Sequence, residues 1–284
     1  MSFKKINLIS IPTAILLVVF RFFHLLYATD RASGFSASLT YDIALYSVLG
    51  AIFLFFVFNF YYTRRTVPST DRKKSKLISY AVIIFAVYCE FMSVLHLIEN
   101  KNITIADNSN IQLIQTIKTV CAVLGILVGI CLVFESVKSM SISTYIPNLL
   151  ISCILVLYFI VMLFTFYVTH DTLVTVPQNL LSLFFWMSIA VFAYAYLRFL
   201  SGSKSTESYK LALIFGYFSA VCGTVVTVPR IAASFFINYT FTSFSSIEQI
   251  MIIPTTLLSV VIVHSLSSSH TCNKQQEIQK GEEI

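Results

Sequence analysis

Eight apolar stretches, at residues 6–28, 41–62, 77–98, 111–136, 144–168, 174–199, 211–237 and 247–267, occupy most of this 284-residue chain. The hydrocarbon core of a bilayer is about 30 Å thick and takes roughly 20 apolar residues of helix to cross. Each stretch is long enough. Lipid offers no hydrogen-bond partner to a spanning amide, so the backbone must satisfy itself within the helix. The composition agrees, with 57% hydrophobic residues, 11% charged residues and a mean hydropathy of +0.83. The sequence therefore predicts an all-α, polytopic transmembrane bundle of about eight spans over residues 1–267. Residues 268–284, rich in Ser, Gln, Lys and Glu without apolar periodicity, are expected to form a cytoplasmic tail with no fixed structure.

Orientation follows from the basic residues, which accumulate on the cytoplasmic side of membrane proteins. With an inside N-terminus, fourteen of the nineteen Lys and Arg residues lie inside, two (Arg31 and Lys101) lie outside, and three (Arg21, Lys118 and Arg230) fall within spans. Both termini are thus expected inside. The densest cluster, Arg64–Lys76, reads as a cytoplasmic anchor against anionic headgroups rather than a nucleic-acid surface. Lys4 and Lys5 ahead of an apolar run also resemble the start of a signal peptide, whose removal near Ala28 would leave seven spans. Arg21 and His24 within that run, and its length, favour a retained first span.

Several chemistries lack their residues. Cys89, Cys121, Cys131, Cys153 and Cys222 lie in spans and Cys272 in the tail, so no outer disulfide can be drawn. No Cys or His spacing suggests a metal. There is no nucleophile elbow and no Gly-rich phosphate loop. No cofactor is expected, and enzymatic activity finds no support. Two sequons, at Asn102 and Asn238, fall in expected outer loops.

The functional lead is charge inside the spans. Such residues cost roughly 2.5–3.5 kcal/mol each at a helix centre and normally face protein or water. At 1.5 Å per residue, Arg21, Lys118 and Arg230 lie about 10 Å below the outer interface, with Glu90 somewhat deeper. Spacing orients two of them. Arg230 continues a stripe of Thr227, Gly223, Ala220 and Gly216, the small face that packs closely in lipid. Glu90 shares a face with Ser79, Ala86 and Ser93. Lys118 stands beside the stripe of Gln112, Gln115 and Thr119, in reach of the interface by snorkelling. Arg21, Glu90, Lys118 and Arg230 are the candidate ligand-binding set, drawn together in an outward-facing pocket that attracts an anion. Structural ion pairing is the competing reading. Asp42, Glu99, Asp171 and Glu248 at the outer rim offer partial neutralisation, and His24 and His96 lie within reach of the same pocket.

Five prolines, Pro12, Pro147, Pro177, Pro229 and Pro254, lie in or at spans, where they kink helices. Two occur in similar pentapeptides, 174–178 (VTVPQ) and 226–230 (VTVPR). The segment from Arg21 through Asp30 to Phe35, RFFHLLYATDRASGF, resembles the opening of uncharacterised multi-span proteins of Firmicutes, with Ser33 where those have Thr. The resemblance, over the first span and the loop that follows it, covers about a tenth of the chain. It implies a bacterial cell membrane and unused sequons, and brings no activity with it.

Two functional readings follow. The first is a carrier or permease-like protein whose pocket takes a small anionic solute or a lipid headgroup. The second is a receptor, sensor or accessory subunit that recognises a ligand or a membrane partner without transport. The expected surroundings are the lipid bilayer, with no nucleic acid, and no protein partner is identified.

Overall fold

The computed structural model describes residues 3–29, 36, 39–61, 76–101, 109–141, 148–169, 177–201, 206–236 and 250–282, some helix-end positions by backbone alone. Among them are eight helices: α1 (Phe3–Tyr27), α2 (Leu39–Tyr61), α3 (Lys76–Lys101), α4 (Ser109–Ser141), α5 (Leu149–Thr169), α6 (Pro177–Leu200), α7 (Thr206–Phe236) and α8 (Ile252–Glu282). There is no strand among the described residues, only an isolated bridge between Thr29 and Ser36 that ties the end of α1 to the approach to α2. Seven helices, α1 to α7, are long and apolar enough to cross a bilayer. The apolar part of α8, Ile252–Ser267, is shorter than that measure. An integral membrane bundle is therefore what these residues build.

Where the sequence predicts an unstructured tail, helix α8 continues to Glu282. The reason is local. Gln, Glu and Lys are good helix formers, and a helix already nucleated by a packed segment adds residues without a second nucleation cost.

Successive helices run antiparallel, and side-chain contacts fix which ends coincide. Tyr209 at the start of α7 donates its hydroxyl to the Leu266 carbonyl on α8 at 3.1 Å. Lys210 donates to the Tyr61 carbonyl closing α2 at 2.6 Å, and its ammonium lies 5.6 Å from the Tyr61 ring centroid. A cation at a helix C-terminus is the favourable end of the macrodipole. Ser79 and Ser139 join α3 to α4 at the same end, 3.1 Å apart. This is the basic end, since residues 64–76 follow Tyr61. The opposite, distal end gathers the ends of α1, α3, α5 and α7 and the starts of α2, α4, α6 and α8.

Helices α3, α4, α5, α6 and α8 surround one interior, with α3 to α6 packed in chain order and α8 on α3; α6 and α8 barely touch and are joined through α7. Helix α7 lies behind α6 and α8, and α1 and α2 pack on the outer side of α7. Glycine makes the closest seams. A Cβ on Gly129 would run into the Glu90 side chain and come within 3.0 Å of the Ala86 carbonyl oxygen on α3. A Cβ on Gly223 would sit 2.9 Å from the Phe185 ring on α6 and against Thr256 of α8. The stripe read from Gly216 to Arg230 is thus an interior face, and Arg230 is only 2% exposed.

Candidate functional site

Two arrangements of polar groups stand out, one in the outer layer and one in the ring. The first lies at the distal end, where α1, α2, α6 and α7 meet. Arg21, at 1% exposure, is as buried as any charged group here. An Arg side chain only donates, so its Nη1–H to His24 Nδ1 makes that nitrogen an acceptor. The ring proton then sits on Nε2, which faces Ser36 Oγ at 3.1 Å and the Asp42 carboxylate at 3.5 Å. Arg21 Nη2 also donates to Gln178 Oε1 at 3.2 Å, and the amide of Gln178 reaches the Val226 carbonyl at 3.5 Å. Arg21 and His24 share a face because they are three residues apart on α1. Gln178 is presented by the first turn of α6, where Pro177 costs no hydrogen bond. Arg230 lies close enough to Arg21 to feel its charge. Four helices are thereby pinned through one buried guanidinium. None of the cavities described for these residues is lined by Arg21 or Arg230.

The second arrangement is a pair of cavities stacked inside the ring. At the basic end a cleft of about 100 Å³ is bounded by α3, α4, α5, α6 and α8. Its walls are mainly aliphatic and aromatic, with Ser79, Glu135, Ser136 and Ser152 towards the mouth. At the distal end a smaller cavity of about 20 Å³, room for about one water, is bounded by α3, α4 and α5 and by Met251, just ahead of α8. Ser93, His96, Lys118 and Thr165 are its polar groups. Tyr158 and Phe159, adjacent on α5, face the distal space and the basic-end cleft respectively.

Between the two lies a buried aromatic layer. Phe85, Phe159 and Trp186 are each 2% exposed or less. Phe159 packs its ring, tilted, 5.9 Å from Phe85 and 6.5 Å from Trp186, centroid to centroid. The Trp186 indole N–H has no hydrogen-bond acceptor among the described residues. Leaving a buried donor unmade costs about 1–3 kcal/mol.

The four sequence candidates therefore separate. Arg21 and Arg230 come together, with Asp42 and His24 beside Arg21. Glu90 lies instead in the α3–α4 seam, its stem against Gly129. Lys118 is half-buried and lines the distal cavity with His96. Of the acidic rim, Asp42 is placed; the side chains of Glu99, Asp171 and Glu248 lie outside those described, as do both sequons and residues 30–35 of the opening motif.

Sequence reasoning missed Glu135 and Gln178. Glu135 sits with Lys138 near the end of α4, where charge reads as interfacial. Yet Leu132, Glu135, Ser136 and Ser139 recur at helical spacing and are all buried, which marks an inward polar face. Gln178 was visible as the counterpart of Arg230 in the repeated pentapeptide, but its pairing with Arg21 spans 157 residues of sequence. The chain matches no family model, no curated protein and no solved structure.

Proposed function

We propose that this integral membrane protein is a carrier of the permease type, residing in the cell membrane, whose solute path runs through the α3–α4–α5–α6–α8 ring. The observation that carries the reading is the stacking of two cavities at opposite ends of one helix ring, parted by a layer of buried aromatic side chains. Alternating access needs that arrangement: a space reachable from each side and a barrier that opens towards one at a time. The distal space holds Lys118 and His96, so the group it favours is anionic, a carboxylate or a phosphate. The solute is accordingly a small organic anion or a lipid headgroup. Arg21 ties the outer helix α1 to α6 of the ring through Gln178.

Cysteine protection tests this. Cys121 already lines the distal space, and Ser152→Cys reports on the cleft in a background whose other cysteines are replaced. In sealed vesicles, an impermeant maleimide should label Cys121 from the distal side and the Ser152→Cys variant from the basic side. Acetate, succinate, inorganic phosphate and glycerol phosphate form the probe panel. At least one should slow Cys121 labelling several-fold, and Lys118→Gln should remove that protection. Labelling of Cys121 indifferent to the whole panel would sink the anion site. Labelling of both positions from one side only would sink the two-sided path.

A further inference from the structure

The aromatic layer between the two cavities carries one donor with nothing to donate to. Trp186, the only tryptophan of the chain, is 0% exposed, and its indole N–H meets no acceptor among the described residues. An indole nitrogen of this kind only donates. Trp186 lies on the face of α6 that walls the cleft, since Ile189, Ala193 and Leu200 follow it at helical spacing and line that space. It stands beside Phe159, one turn beyond Ile189 on the distal side. The hydroxyls of α6 at this depth are spent on their own helix: Ser182 donates to the Gln178 carbonyl at 2.9 Å and Ser188 to the Phe185 carbonyl at 2.8 Å. On α8, Ser259 in the cleft wall donates to the Thr256 carbonyl at 2.9 Å. A layer of phenylalanine alone, such as Phe85, Phe159 and Phe185, would close the path without an unmade hydrogen bond.

We propose that Trp186 determines the specificity of the path: its N–H receives an oxygen of the solute at the layer, and the solute is a monocarboxylate with a short apolar tail. This assignment rests on the transport proposed above and narrows its substrate. Lys118 in the distal space draws anions in general, and the layer then selects among them. With one donor on offer, every further solute oxygen stripped of water goes unpaired, and each added charge raises the cost. Phosphate and dicarboxylates are richer in both and are held back. An ammonium brings donors and no acceptor, so it gains nothing from an indole N–H. The apolar tail suits the mainly aliphatic and aromatic walls of the cleft beyond.

A single tryptophan gives a single indole signal in nuclear magnetic resonance. Protein isotopically labelled at the indole nitrogen, in phosphatidylcholine nanodiscs, is titrated with butyrate, inorganic phosphate and butylamine while that N–H cross-peak is followed. Butyrate should move the peak downfield, saturably, as the N–H gains an acceptor. Phosphate and butylamine should leave it in place. In proteoliposomes, Trp186→Phe should lower maximal butyrate uptake about tenfold, the scale of one buried hydrogen bond, with half-saturation and Lys118-dependent protection of Cys121 within about twofold of the unmodified protein. A tryptophan that only packs would leave the peak unmoved by butyrate. An unmoved peak with Cys121 still protected by butyrate would overturn the role of Trp186 and leave the proposed carrier standing. Absence of both the shift and the protection would overturn the two together. An equal shift with phosphate would overturn the choice of a monocarboxylate. If Trp186→Phe fails to fold, the titration decides alone, because it uses the unmodified chain.

Discussion

Arg21 shows how one side chain can tie together elements far apart in sequence. Its guanidinium supplies donors to His24 on its own helix and to Gln178 on α6, with Asp42 of α2 beyond the imidazole. Removing it strands two buried acceptors, each at a cost of about 1–3 kcal/mol. Arg21→Leu should therefore lower the melting temperature sharply, and a thermal melt in detergent reads it. Glu90 behaves differently. It is half-buried in the α3–α4 seam, and Glu90→Gln preserves the shape that packs on Gly129. Its cost should stay below about 1 kcal/mol, in the range of substitutions that disturb no packing. Equal destabilisation by the two would mean that Glu90 is a counter-charge for the arginines after all. Much of this scale was legible in the sequence. Arg21 and His24 are a helical pair on inspection, and the small-residue stripe turned Arg230 inward. What the sequence could not convey is which helix adjoins which, so the partners Gln178 and Asp42, and the separation of Glu90 and Lys118 from the arginines, emerge only in three dimensions.

Among the helices, the α3–α4 seam shows most plainly how packing in lipid is achieved. With acyl chains as apolar as leucine, helices gain little from burying apolar surface and gain instead from close approach and dispersion contact. Gly125 and Gly129, four residues apart on α4, bring its backbone against Ser93, Glu90 and Ala86. The Ala86 contact is to a backbone carbonyl, which cannot rotate away. Gly129→Ala should thus cost about 1–3 kcal/mol as overpacking. Gly50 of α2 is the control, because nothing lies within 4 Å of a Cβ placed there. Gly50→Ala should leave the melting temperature unchanged or raised, since alanine is the better helix former by about 1 kcal/mol. If both substitutions behave alike, close approach at Gly129 is not what holds the seam. The Gly-x-x-x-Gly spacing was readable beforehand, as was the placement of Pro177 at the start of its helix. The extension of α8 to Glu282 was not, because a polar run after an apolar one carries no periodicity that tells continued helix from loose tail.

For the whole molecule, the span count turns on α8. Its apolar part, Ile252–Ser267, covers about 24 Å at 1.5 Å per residue, against a hydrocarbon core of about 30 Å. Length alone would leave it stopping short. Its contacts say more: the far end of its apolar run, Leu266, accepts a hydrogen bond from Tyr209 at the start of α7, so α8 runs back beside α7 to the basic end. Short spans are accommodated by local thinning of the bilayer or by snorkelling of flanking side chains, at fractions of a kcal/mol per Å. The expectation is that single cysteines placed at Lys4, within residues 64–76 and at Lys280 react with an impermeant maleimide only from the cytoplasmic face. Cysteines at positions 35, 105, 171 and 241 should react only from the outside. The side of residue 280 decides between eight crossings and seven, because an odd number would place it opposite Lys4. The side of residues 64–76 tests the orientation itself. A cytoplasmic Lys4 with an external residue 280 would leave α8 as a re-entrant helix, and the basic-end cleft would then lose the wall it shares with α3.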